Sequence, residues 1–85
     1  MNWMKKIETI PAGYSQVNYE GKKYGTSRSD FNDGKSIKVY AEELGKNRFI
    51  SFNYYIMSTS NLLKPCEMPA STVIHFLENF TSSKG

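Results

Sequence analysis

The chain has 85 residues, 39% of them apolar, and 11 Lys and Arg against 8 Asp and Glu for a net charge of +3. That is one small domain, 1–85, with a thin core that leans on its six Tyr, five Phe and one Trp. The charge permits a polyanion partner without demanding one, and no apolar run reaches the length of a membrane span.

A lone cysteine, Cys66, excludes an intrachain disulfide and fits a reducing cytoplasm. The first residues, MNWMKKIETIP, carry two lysines but no long apolar stretch before a small-residue cleavage pattern. No signal peptide is expected, and the expected localisation is cytoplasmic. Trp3, Ile7 and Ile10 fall at i, i+4 and i+7, which predicts a short amphipathic helix within segment 1–13. Asn2 is available as its N-cap, with Pro11 and Gly13 as its stop.

Four strands follow, predicted at 14–19, 22–30, 35–43 and 48–56. Glu20-Gly21 supplies the first tight turn and Phe31-Asn32-Asp33-Gly34 the second. The strongest signal is Lys35 to Ile56, two alternating β-branched and aromatic segments around Leu44-Gly45-Lys46-Asn47. Short connections order the strands as an antiparallel meander over 14–56. Residues 57–68 read as a loop whose second half is extended. From Pro69 the period changes: Ala70, Val73, Ile74, Leu77 and Phe80 share one face, predicting a helix over 69–80. Residues 81–85 are expected to fray. The fold class is therefore α+β: a four-stranded antiparallel meander with a C-terminal helix on one face.

Alternation divides the strands into two faces. Ile37, Val39, Ala41, Ile50, Phe52, Tyr54 and Ile56, joined by Val17, Tyr19 and Phe31, form the expected core beneath the helix. The opposite face receives Gln16, Asn18, Lys22, Tyr24, Thr26, Arg28, Lys38, Tyr40, Glu42, Phe49, Ser51, Asn53 and Tyr55. Aromatics beside cations can stack bases and neutralise phosphates, so Tyr24, Arg28, Lys38, Tyr40, Asn53 and Tyr55 are the candidate partner-binding residues. The competing reading has this face covered by the N-terminal helix, with Trp3 and Ile7, or by a second subunit.

Catalytic signals are thin. His75 sits on the helix flank away from Val73, Ile74 and Leu77, and no Cys partner stands at a metal spacing, so no metal is expected. Cys66 with His75 is the one conceivable nucleophile pair; a small apolar role for Cys66 in a Pro-flanked turn weighs more. Glu42 and Glu43 are adjacent on a strand and face opposite ways, so they do not form an acid/base pair. Gly34-Lys35-Ser36 lacks the upstream glycine and the following helix of a phosphate loop.

The stretches Lys23 to Phe31, GKSIKVYAEELGKNRFISF and MPASTVIHFLENF, in that order, resemble the repeat of the Pur family of purine-rich-element-binding proteins. The resemblance lies in the order of four strands and a helix. It implies two intertwined units, here a homodimer, and a basic-aromatic sheet surface for single-stranded nucleic acid. Whirly-type proteins share that order. NYEGKKYG, FNDGKSIKVYAEELG and LLKPCEMP are similar to short bacterial proteins carrying the label peptide methionine sulfoxide reductase. That enzyme's Gly-Cys-Phe-Trp motif is absent, and Cys66 stands in Lys-Pro-Cys-Glu-Met-Pro instead.

The expected function is non-enzymatic binding through the open sheet face, with single-stranded nucleic acid as the first candidate partner, no cofactor and no membrane. The alternatives are a thiol-based reductase acting through Cys66 and a protein-interaction or dimerisation domain.

Overall fold

The computed structural model describes residues 3–82. In chain order the elements are α1 (Trp3–Glu8), β1 (Gly13–Tyr19), β2 (Lys22–Phe31), β3 (Ser36–Glu43), β4 (Phe49–Ile56), β5 (Asn61–Pro65), α2 (Ala70–Asn79) and β6 (Thr81–Ser82). Residues 2 and 83–85, where the N-cap and part of the frayed tail were expected, lie outside the described residues.

The first turn sets the frame. Glu20 and Gly21 have φ of 54° and 76°, the left-handed pair that joins twisted antiparallel strands in two residues. Tyr19 then pairs with Lys22 and Val17 with Tyr24. Every later register follows by hairpins, so Thr26 faces Ala41, Val39 faces Phe52, and Tyr54 faces Leu63.

The sheet has six strands in the order β5-β4-β3-β2-β1-β6, which corrects the expected four-stranded sheet. The segment expected as loop is a further hairpin. Met57 N–H donates to Ser60 C=O at 3.0 Å, and Asn61–Pro65 then runs back along β4. Asn61 also donates its amide to Tyr54 Oη at 3.0 Å, which satisfies a buried phenol. Pro65 is tolerated because β5 is an edge strand. At the other edge Thr81 and Ser82, expected to fray, pair with Asn18 and Val17.

Both helices lie on one side of the sheet. Ile7 and Ile10 are buried in the same cluster as Val73, Phe76, Leu77 and Phe80, with Trp3 and Met4 packed against it. The N-terminal helix therefore does not cover the opposite face. The apolar stripe of α2 runs through Val73, Phe76, Leu77 and Phe80; Ala70 is exposed and Ile74 half-buried. The strand contribution includes Val17, Tyr19, Ile37, Val39, Ala41, Ile50, Phe52 and Tyr54 as expected, and Tyr24, which was not. Phe31, expected in the core, is 52% exposed on the other side.

Phe52 has no exposed surface, so Phe52→Ala is expected to cost about 3–5 kcal/mol in urea unfolding. Phe31→Ala should cost less than about 1 kcal/mol, as a surface change does. Equal losses at the two positions would overturn this division of the faces.

Candidate functional site

Directly opposed residues of antiparallel strands project to the same side. The registers therefore lay out the uncovered face as rows across the sheet. One row is Phe31, Ser36, Tyr55 and Leu62; the next is Ser29, Lys38, Asn53 and Lys64. Beyond it come Tyr14, Ser27, Tyr40 and Ser51, then Gln16, Gly25, Glu42 and Phe49. Tyr14 lies over Gly25, where a Cβ would stand 2.6 Å from its hydroxyl. The face is thus a polar lysine row with aromatic side chains on both flanks.

Its centre is a depression of about 630 Å³ bounded by Lys38, Tyr40, Phe49, Ser51, Cys66 and Glu67. The rings of Tyr40 and Phe49 stack with centroids 5.7 Å apart and an interplanar angle of 25°. They remain 38% and 37% exposed.

Of the six candidate binding residues, Lys38, Tyr40, Asn53 and Tyr55 come together on this face. Tyr24 and Arg28 do not. Tyr24 is buried under α2, edge-on to Tyr19 at 5.5 Å. Arg28 donates to Ile10 C=O at 2.7 Å and pairs with Asp30 at 3.0 Å on the helix side. Thr26 and Lys22 share that side. The face instead gains Tyr14, Phe31, Leu62 and Lys64. Lys64 was legible only to a reader who had placed β5 in the sheet.

Cys66 also opens onto this face. Its Sγ accepts the Asn53 amide at 3.4 Å, and its backbone N–H donates to Ser51 C=O at 3.0 Å. His75 is on the other side of the sheet, so no Cys66–His75 pair exists. There the Tyr19 hydroxyl and His75 Nδ1 share a hydrogen bond at 2.5 Å, and Glu20 reaches Arg48 at 3.2 Å. This cluster ties the first turn to α2 and to the start of β4. Burial raises the Tyr19 pKa, reinforced by the Glu20 carboxylate and partly offset by Arg48, so the phenol holds its proton.

Among the described residues no helix is long and apolar enough to cross a membrane, and no three metal-ligating side chains cluster. No protein family, curated protein or solved structure matches the chain.

Tyr19 and Tyr24 hold their protons to higher pH in the fold than in the unfolded chain, where the ordinary phenol value is 10.0. Their stabilisation is complete below that pH and falls as pH rises through it. Urea midpoints measured from pH 8 to 11 should therefore drop above pH 10, and Tyr19→Phe should drop less steeply. A variant as alkali-sensitive as the parent would remove Tyr19 from this account.

Proposed function

We propose that the protein is a non-enzymatic binding module whose uncovered sheet face takes single-stranded nucleic acid. The observation that carries this reading is the exposed Tyr40–Phe49 stack beside Lys38 in one open depression. Bases of any sequence stack on such rings, at about 1–3 kcal/mol each. Lys38 and Lys64, on either side of Asn53 in one row, supply charge for the backbone. Tyr55, on the far flank of that row, offers a second ring.

A second reading, dimerisation through the same face, is favoured by the order Lys38, Tyr40, Glu42 on β3. A two-fold axis through Tyr40 would set each lysine against the other copy's glutamate. The reductase reading has less support. Cys66 is the sole cysteine, so no second thiol in the chain can resolve an oxidised sulfur.

Tyr40→Ala should weaken oligonucleotide binding to a similar degree at low and high salt, because stacking releases no counterions. Lys38→Ala should flatten the salt dependence by about 0.7 of a log unit per log unit of salt. Affinity should be modest, on the order of 10⁻⁴ to 10⁻⁶ M at physiological salt. Fluorescence anisotropy over a salt series measures all three. No binding at any salt, together with a shift toward monomer in sedimentation of Tyr40→Ala, would replace this reading with the dimer.

A further inference from the structure

The rows of the open face set a spacing. Neighbouring rows are two residues apart along each strand, about 6.7 Å. The row of Ser29, Lys38, Asn53 and Lys64 holds no ring. One step to one side, Tyr40 begins the stack with Phe49. One step to the other, Phe31 and Tyr55 stand two strands apart with the small Ser36 of β3 between them. Phe31 is exposed and Tyr55 half-buried. Two aromatic platforms are therefore about 13 Å apart at their backbones, with the lysines midway.

Bases stacked on one another in a nucleic-acid strand repeat at about 3.4 Å. Opened out onto separate platforms, the same backbone reaches roughly twice that, which is one row of this face. Two nucleotide steps then carry a strand from one platform to the other. The first and third bases meet rings, and the second lies over the row without them. The two phosphodiesters that flank the middle nucleotide fall between Lys38 and Lys64, which stand on either side of Asn53. The carboxylates sit toward one end: Glu42 is opposite Phe49, and Glu67 bounds the depression. A phosphate placed beside either one meets a like charge, so the backbone charge is drawn to the middle row.

Resting on the nucleic-acid reading above, we propose that the open face binds a three-nucleotide segment with its backbone parallel to β3 and β4, the outer bases on the two aromatic platforms and the middle base unread. Phe31 joins the binding residues, sharing the second platform with Tyr55. The ligand is an unpaired strand, because a duplex keeps its bases at the shorter stacked repeat and does not match this spacing.

Two deoxythymidine trimers of equal charge and composition test the spacing, one with its abasic site in the middle and the other with it at one end. Binding is read by amide and side-chain NMR shifts of the unaltered protein. The middle-abasic trimer should bind about fivefold tighter or more than the end-abasic one, which seats a single base on a ring. It should nearly match the intact trimer. Phe31→Ala, a change at an exposed position, should shrink the ratio between the two abasic trimers, and adding Tyr55→Ala should bring it to one. Equal affinities of the two abasic trimers, or a ratio unmoved by Phe31→Ala, would overturn the three-nucleotide register. So would an intact trimer that fails to bind where a longer oligodeoxythymidine succeeds, and each of these results leaves the nucleic-acid reading intact. Failure of the trimer and the longer oligomer alike to shift Tyr40 or Phe49 would overturn the nucleic-acid reading itself.

Discussion

An aromatic cluster between the first hairpin and α2 holds this protein in its one-sided form. Phe76 meets Tyr19 edge-on at 5.0 Å and stacks on Phe80 at 4.9 Å, while Tyr24 closes against Tyr19. Lys6 places its ammonium 4.5 Å from the centroid of Phe80, which draws α1 into the same cluster. Large rings in edge and offset contact supply area and orientation together. Both helices are committed to one side by these contacts, and the other side is left to Tyr40, Phe49, Tyr55 and the lysines.

The uncovered side would be a liability if it were uniformly apolar. Serines and asparagine are set between its rings, and the lysines and Glu42 break it into small patches. That composition is compatible with exposure to water. Cys66, which borders the depression, has the Asn53 amide as a hydrogen-bonding neighbour of its sulfur.

Much of the strand layout was legible in side-chain alternation. β3 and β4 alternate cleanly, so the phase of Ile37, Val39, Phe52 and Tyr54 came out correctly, and with it the placement of Lys38, Tyr40, Asn53 and Tyr55. β2 has no such signal. Its even positions are Lys22, Tyr24, Thr26 and Arg28, and its odd ones include Gly25, Ser27 and Phe31. Phe31 drew the apolar phase to the odd positions. The two-residue turn at Glu20-Gly21 demands the even ones, because Val17 must share a face with Tyr24. Turn length was therefore the better guide, and it was already in the sequence. β5 was hidden because Leu62-Leu63 does not alternate, and β6 because Thr81 and Ser82 join by backbone pairing with no apolar side chain to announce it.

The meander has a kinetic consequence. Four of the five strand pairings join neighbours in the chain, so β1 to β5 can zip together through hairpins that close over short loops. The cover for this sheet is α2, which follows all five of those strands in chain order, and the pairing that shields the β1 edge comes later still. During synthesis the nascent sheet therefore emerges with Val39, Phe52 and Tyr54 facing water and one edge unpaired. For that interval the growing chain is adhesive on its core face and at its β1 edge, and its escape from association depends on how soon α2 clears the ribosome.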